Sequence, residues 1–482
     1  MGVVSYPKAL QWWCSKNPEK VAVVCNDQKI TRNELDLSSN RLARVYKSLG
    51  VKDGDRVTIC VANSIEFVQI CFAVWKLGAT PQPLSPELPD KELENIILLA
   101  EPSLVVGVDR VDVDVPVLPI AYQADQSISD QFLDDKVSKN AKALASGGST
   151  GKPKLIVDAN PALFDPEIAI NHMQIQGCIL VPGPLYHNGP FITLFQCLLS
   201  GGKAVVMSRF DASDAIGLIE QYKVDWVLFV PTMMHRIWRL DQVERTSKDI
   251  SSLRIVISTA APVPAWLKLA WIEWIGAEKI YESYGGSERI GGTQIVGTEW
   301  LTHPGSVGKP VGETLVKILD AETRQQLAIG EVGEVYMRAT INTAKSTFYV
   351  GAENQEYEGF QTLGDMGYLD DEGYLYLIDR RVDMIVSGGA NIYPAEIESV
   401  IDEYPEVRSS AVVGFFDDDL GQQVHAIIDA PDGLDEDELL AHLNSRLVRY
   451  KVPRTIEVVD YLLRDDAGKV RRSALREARL KS

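Results

Sequence analysis

The first half of the chain alternates short apolar runs, rich in β-branched residues, with helix-length segments, and this alternation narrows the fold more than any other feature. RVTICVA (56–62), SLVVGV, GCILVP, KAVVMS, WVLFVP and LRIVIST read as strands. Between them lie helical stretches such as 66–77, 213–222 and 265–275. Thr31 and Glu34 form a capping box ahead of Leu35, Leu42, Tyr46 and Leu49 at helical spacing. Gly50 ends that helix as Gly78 ends the next. A helix between two strands supplies the crossover that a parallel pair needs. The expectation is α/β layers with mainly parallel sheets.

From about residue 300 the texture changes. HPGSVGKPVGETLVKILD, GEVGEVYMRA and DEGYLYLIDRR combine many glycines with short β-like runs, which suits a twisted antiparallel subdomain over about 300–380. A compact unit follows, with VDMIVSGGANIYPAEIESVI, SAVVGFF, HAIIDA, a helix near 435–450 and a basic tail. The 482 residues thus divide into a large domain over 1–381 and a small one over 382–482.

Lys plus Arg is 48 against 67 Asp plus Glu, a formal charge of −19. Such a chain has no long-range attraction to nucleic acid or anionic lipid, so a polyanionic ligand needs a local basic patch or backbone amides. No 18-residue apolar run spans a membrane, and the N-terminal segment lacks the apolar core of a secretory leader. Cys14, Cys25, Cys60, Cys71, Cys178 and Cys197 form no CxxC pair and sit mostly in apolar runs. Buried, reduced thiols in a cytoplasmic protein are the expectation, without zinc.

Five segments could carry chemistry. In SGGSTGKPK, Ser146 to Lys154, the glycines Gly147, Gly148 and Gly151 let amides turn inward. Ser149 and Thr150 add hydroxyls, and Lys152 and Lys154 add charge. Such a nest suits phosphate oxygens, although it departs from the Walker pattern at Ser146 and Pro153, and a Gly/Ser surface turn has the same composition. In YGGSE, Tyr284 to Glu288, the carboxylate could hold Mg²⁺ against phosphate and the ring could stack on a base; a glycine turn with a solvated Glu288 is the alternative. Asp365 can accept two ribose hydroxyls and Arg380 can reach ribose or phosphate, or both are hairpin surface charges. Lys469 follows Gly468 on a turn near the C-terminus, where a solvated lysine is the ordinary case. His187, in PLYHNGPF, is either a gate or pocket wall or a packed core histidine.

Together and in this order, these segments resemble the adenylate-forming superfamily of acyl-CoA synthetases, luciferases and peptide-synthetase adenylation domains, over almost the whole chain. GATPQPLSPELP, SGGSTGKPKLI, PLYHNGPF and DRRVDMIVSGGANIYPAEIE look closest to bile-acid-CoA-ligase-like acid–CoA ligases. The resemblance implies a large N-terminal domain of two α/β layers plus a β-barrel-like subdomain, and a small mobile α+β C-terminal domain. It implies that Ser146–Lys154 clasp the pyrophosphate end of ATP. Ser258, Thr259, Ala260, Ala261 and Pro262 would frame adenine with Tyr284, Gly285 and Gly286 would bind the nucleotide, and Ser287 with Glu288 would contact phosphate and Mg²⁺. Glu288 and Thr150 would hold Mg²⁺, and Asp365 and Arg380 the ribose. Lys469 would bridge the acyl carboxylate and the α-phosphate. Ser387, Gly388 and Gly389 would line the thiol's approach after the small domain rotates. His187, counted with Lys469 and Glu288 as catalytic, would also line an acid pocket with Asn188, Gly189, Phe191, Pro231, Gly291 and Gly292.

The implied reaction explains these residue types. A carboxylate is a poor electrophile; attack on the α-phosphate of ATP makes a mixed anhydride and expels pyrophosphate. Negative charge gathers on phosphoryl oxygens, where a lysine and backbone amides stabilise it without a general base. A thiol, that of coenzyme A, then displaces AMP. An enzyme that only adenylates, handing its product to a carrier protein or a separate ligase, has the same motifs, and a non-catalytic nucleotide-binding protein is the third reading. PLYHNGPF lacks the carboxylate that pairs with an amino acid's ammonium, so the acid expected is bulky and mostly apolar, a polycyclic terpenoid, steroid-like or aryl acid. A homodimer is compatible with the resemblance. Three departures stand out: Val382 at the hinge position, Asp465 and Asp466 just before Lys469, and Ser287 where threonine is more common.

Overall fold

A computed structural model describes residues 2–480 apart from 109–110, 112, 121, 148–152, 340–346, 353–355, 381–382, 388–389, 418 and 466–467, and for Ser146, Gly147, Arg380 and Asn391 it describes the backbone. Strands and helices alternate through the large domain. In the main sheet, Ile280–Gly285, Ile255–Ser258, Trp226–Phe229, Cys178–Val181, Lys203–Val206 and Val21–Cys25 lie side by side in that order, all parallel, with Gln28–Thr31 antiparallel at the edge. A second parallel sheet runs Thr80–Pro83, Arg56–Ile59, Leu104–Val106, Val117–Leu118.

Helix Ile65–Lys76 touches strands of both sheets, and it is apolar on nearly every side because it has no solvent face. Its last residue, Lys76, is buried. The ammonium donates to Asp36 Oδ1 (2.6 Å), the Asp36 carbonyl (2.8 Å), Ser39 Oγ (2.8 Å) and Asn40 Oδ1 (2.7 Å). Burial lowers its pKa and Asp36 opposes the shift, so this charge is tolerated only inside a full set of acceptors.

The main sheet changes direction at one place. Ile280–Gly285 pairs antiparallel with Gly292–Val296, Gly285 facing Gly292, so residues 286–291 are a hairpin loop. Beyond it the sheet continues through Ser306–Pro310, Leu375–Arg380, Phe360–Leu369, Gly333–Ala339 and Thr314–Leu319, all antiparallel. The glycine-rich region from about 300 is therefore an extension of the same sheet, with a small core of Ile290, Val307, Ile318, Val335, Met337 and Leu375. Ala143–Gly147, Pro153–Asp158 and Thr347–Val350 make a separate antiparallel sheet.

The small domain has the sheet Ser409–Asp417, Gly421–Asp429, Thr455–Val459, the hairpin Ile385–Ser387/Ala390–Ile392, and helices Pro394–Ile401, Glu436–Arg446 and Arg472–Leu480. The second of these helices ends before the expected residue 450, because Leu447 turns to extended backbone and is buried at 8% exposure. All six cysteines are free thiols; Cys14 is half-buried and the others are buried. Burial pushes Cys25 and Cys178 up to about 11. Among the described residues, no helix is long and apolar enough to cross a membrane.

Candidate active site

The C-terminal ends of the parallel strands are where an open α/β sheet binds ligands, and four candidate segments emerge from that one edge. Ser258–Pro262 follows strand Ile255–Ser258, the 286–291 loop follows Ile280–Gly285, His187 and Asn188 lie beyond Cys178–Val181, and Pro231 follows Trp226–Phe229. The loop after Ser258 is held by its neighbour: Thr259 Oγ1 donates to the Ser283 carbonyl at 2.8 Å. Ala260 is kept at φ 77°, a conformation a residue with a Cβ adopts only under constraint. Beneath it, Lys268 Nζ pairs with Glu282 Oε2 at 2.6 Å, and Val263 N donates to Glu282 Oε1 at 3.3 Å. Lys268 is fully buried; burial lowers its pKa and Glu282 opposes that.

Glu288 is gripped on several sides. Tyr349 Oη donates to Oε1 at 2.9 Å, Lys154 Nζ lies 3.6 Å from the same oxygen, and Thr347 Oγ1 donates to the Glu288 carbonyl at 2.7 Å. Lys154 Nζ also sits 4.0 Å from the centre of the Tyr349 ring. Burial and the adjacent Glu288 hold the Tyr349 phenol protonated, above its ordinary range. A Cβ at Gly286 would stand 2.7 Å from Glu288 Oε2 and 2.8 Å from Leu363 Cδ2, so a larger residue there would shift the carboxylate or Leu363. The next residue, Arg289, pairs with buried Asp158 at 2.8 Å, and Asp158 also receives Lys142 at 3.1 Å. This pins the hairpin loop to strand Pro153–Asp158, whose other end leads into the Ser146–Lys154 segment.

Tyr284 Oη donates to Asp365 Oδ2 at 2.7 Å, and Asp365 is the register partner of Arg380. The turn bearing Lys469 is tight: Lys469 N donates to Asp465 Oδ1 at 2.9 Å and Gly468 N to the Asp465 carbonyl at 2.8 Å. One oxygen of Asp465 thus accepts the lysine's own backbone amide. Gly468 is packed on the large domain, where a Cβ would lie 3.1 Å from Thr232 Oγ1 and 3.6 Å from Val230 Cγ2. Lys469 is thereby carried to the same sheet edge.

The fold thus brings Lys154, Ser258–Pro262, Tyr284–Glu288, Asp365, Pro231 and the Lys469 turn to one side of the sheet. Gly148, Ser149, Thr150, Gly151, Lys152, Val382, Gly388, Gly389 and Asp466 lie outside the described residues, as do the side chains of Ser146, Gly147 and Arg380. Ser387 stands in the hairpin of the small domain, paired with Ala390. His187 caps helix Asn188–Leu199 and its ring lies 4.7 Å from that of Tyr186. Gly291 and Gly292 close the hairpin loop. Phe191 packs inward: it is 3% exposed, among Phe67, Trp75 and Phe195. Sequence reasoning missed Tyr349, Thr347, the Arg289–Asp158 pair, Thr232 and Arg239; each acts on a partner far away in the chain, and no local motif marks it.

Residues 10–346 match the family described as AMP-binding enzyme, and residues 396–469 match the AMP-binding enzyme C-terminal domain. The chain is 29% identical over 497 residues to the 2-succinylbenzoate–CoA ligase of Bacillus licheniformis, across 98% of this chain and 100% of that protein. It is 28% identical over 480 residues to the long-chain-fatty-acid–CoA ligase FadD13 of Mycobacterium tuberculosis, across 94% of this chain and 93% of that one. The solved o-succinylbenzoate CoA synthetase of Bacillus subtilis, in complex with its acyl-adenylate intermediate, superposes with a TM-score of 0.81 at 26% identity, covering 99% of each chain. That protein has also been solved with ATP and a magnesium ion, with a TM-score of 0.80 to this chain at 26% identity, covering 97% of this chain and 99% of that one. The adenylate-forming resemblance of the motifs, the two-domain fold and the two family matches agree: the chain belongs to the AMP-binding enzyme family.

Proposed function

We propose that the protein is an ATP-dependent, AMP-forming acid–CoA ligase that activates a carboxylic acid as its adenylate and transfers the acyl group to coenzyme A. The observation that supports this reading is the seating of Gly468 on Thr232 and Val230, beside the sheet edge from which the other candidate groups emerge. In this reading Tyr284 and the Thr259–Pro262 loop take the base, Asp365 and Arg380 the ribose, and Lys154 with the Ser146–Gly151 nest the pyrophosphate end. Lys469 neutralises the charge that develops as the acid oxygen bonds to the α-phosphorus and the bond to pyrophosphate breaks. No side chain needs to remove a proton, since the acid arrives ionised.

The residues present fit magnesium. Glu288 is one carboxylate seated against the Gly286 backbone, and among the described residues no group of three His, Cys, Asp or Glu could form a closed metal cage. Magnesium characteristically takes one or two carboxylates and completes its shell with phosphate and water. When bound it would offset phosphate charge; Glu288 and the Thr150 hydroxyl would hold it. For the second half-reaction the small domain, over 382–482, rotates, and Ser387, Gly388 and Gly389 line the thiol's approach. His187, Asn188, Gly189, Pro231, Gly291 and Gly292 border the acid, and Phe191 supports that wall from the core. The acid is aryl or long apolar: the relatives named above act on 2-succinylbenzoate and long-chain fatty acids, and the segment PLYHNGPF offers no carboxylate to receive an ammonium.

The test is AMP release across a panel of aryl, fatty and polycyclic acids with ATP and Mg²⁺, with and without coenzyme A. Thioester with free AMP is the expected result. An acyl-adenylate that stalls in the presence of coenzyme A would assign the enzyme to adenylation alone, with a carrier or separate ligase as acceptor.

A further inference from the structure

We propose that Arg239, held in place by His235, is a positioning residue that seats the small domain with the Lys469 turn over the active site. The proposal rests on the adenylation reading above and adds the element that selects that arrangement of the domains.

Helix Pro231–Trp238 starts where strand Trp226–Phe229 ends, and it meets the small domain at both of its ends. Its first turn carries Thr232, against which Gly468 is packed. Its last turn carries His235, and Arg239 is the residue that ends it. Arg239 Nε donates to His235 Nε2 at 3.0 Å, and Arg239 Nη2 donates to the carbonyl of Tyr404 at 3.2 Å, across to the small domain. Tyr404 lies just beyond helix Pro394–Ile401, the helix whose Glu398 is bonded by Arg464 and Arg472, and Arg464 and Arg472 flank the Lys469 turn in sequence. The Tyr404 end and the Lys469 turn therefore move as one body, and fixing one fixes the other.

His235 is buried, and its Nε2 accepts from Arg239, so the ring is neutral with its proton on Nδ1. Burial, with Arg239, Arg464 and Arg236 nearby, pushes it down to about 3. A neutral acceptor orients the guanidinium without taking up its charge. That charge faces Asp402 and Glu406 of the small domain, which favour it against its own burial. Beside this bridge the seam is open, with a cleft of about 400 Å³ between Trp238, Arg239 and Trp266 on one side and Glu403 and Pro405 on the other, while near the domain boundary Ala395 N donates to Asp379 Oδ2 at 2.8 Å. A polar bridge across an open cleft can be made and broken as the domains move, which a dry apolar seam would resist.

The experiment measures the two half-reactions separately in Arg239→Ala, Arg239→Lys and His235→Gln. Arg239→Ala is expected to slow acid-dependent pyrophosphate exchange by about 10-fold, the scale of one charge-assisted hydrogen bond, with KM for ATP within about twofold. Thioester formation from a supplied acyl-adenylate and coenzyme A is expected to keep its rate. Arg239→Lys, which retains a donor, recovers part of the exchange, and His235→Gln loses less than Arg239→Ala. A second readout needs no catalysis: spin labels at the exposed positions Val243→Cys and Phe416→Cys report the distance between domains. One dominant distance in the parent should give way to a broader distribution in Arg239→Ala. Equal losses in both half-reactions, or a label distribution that Arg239→Ala leaves unchanged, overturns the proposal. A parent chain that adenylates no acid overturns the ligase reading instead, and the label distances then decide the role of Arg239 by themselves.

Discussion

Tyr284 and Asp365 stand 81 residues apart in sequence and share a hydrogen bond of 2.7 Å, phenol to carboxylate, that ties the last parallel strand to the antiparallel half of the sheet. The group assigned to the base and the group assigned to the ribose are therefore oriented by each other. Tyr284→Phe keeps the ring and removes the donor. A hydrogen bond to a charged group contributes about 1.5–3 kcal/mol, so the apparent affinity for ATP should fall by roughly 10-fold or more, while the maximal rate changes less. Calorimetric titration of ATP into both proteins measures it, and equal affinities would contradict the assignment.

In its proposed role Lys469 is needed mainly when charge builds on the phosphoryl group, and Lys469→Ala removes that cation. Adenylation should slow by about 10²–10³-fold or more, and transfer from a supplied acyl-adenylate should be largely preserved. Single-turnover assays of each half-reaction distinguish this from general damage, which would lower both.

Lys268 and Glu282 form a buried pair under the Ser258–Pro262 loop. Removing one partner of such a pair costs about 3–5 kcal/mol, because the other charge is left uncompensated. Lys268→Met should therefore destabilise the large domain by about that much in denaturant unfolding. The double variant Lys268→Met/Glu282→Leu should recover most of the loss.

His235 supplies a pH dependence of known sign. Its native pKa is pushed down to about 3 from an ordinary 6.5, first by burial and then by Arg239, Arg464 and Arg236. The unfolded chain binds a proton that the native site refuses, so stability is full above about 6.5 and is lost as pH falls toward 3. Between pH 7 and pH 5 this one group removes about 2 kcal/mol. Thermal melting as a function of pH should show the slope, and His235→Gln should flatten it.

The parts of the fold that were legible in the sequence are those decided within a few residues. Glu34 Oε2 accepts the Thr31 amide at 2.8 Å and Thr31 Oγ1 the Glu34 amide at 3.2 Å, so both halves of that capping box sit four residues from end to end. Helix Ala265–Ile275 spans the residues expected, bounded by Pro264 and Gly276. What stayed hidden depends on pairing between distant segments. The run from about 300 showed its β character, but nothing local revealed that Ser306–Pro310 would join Gly292–Val296 and continue the main sheet. Asp465 stands out in the sequence only as a negative charge close to Lys469; the folded turn puts one of its oxygens on that residue's amide. Tyr349 grips Glu288 from 61 residues away and Arg239 reaches a carbonyl 165 residues on, contacts that only the folded chain creates.

On the function proposed above, the hairpin that reverses the sheet also limits how the choice of acid can change. A Cβ at Gly292 would stand 2.8 Å from the Tyr284 carbonyl, and one at Gly291 would strike Thr314 Cγ2 at 2.6 Å, so neither position can grow without displacing the Tyr284 backbone or Thr314. A Cβ at Gly189 would meet Leu228 at an ordinary 3.6 Å. An acid pocket bordered as proposed above would be rigid at Gly291 and Gly292 and tolerant at Gly189, and new acid preferences, in the laboratory or in related lineages, would then arise more readily at Gly189.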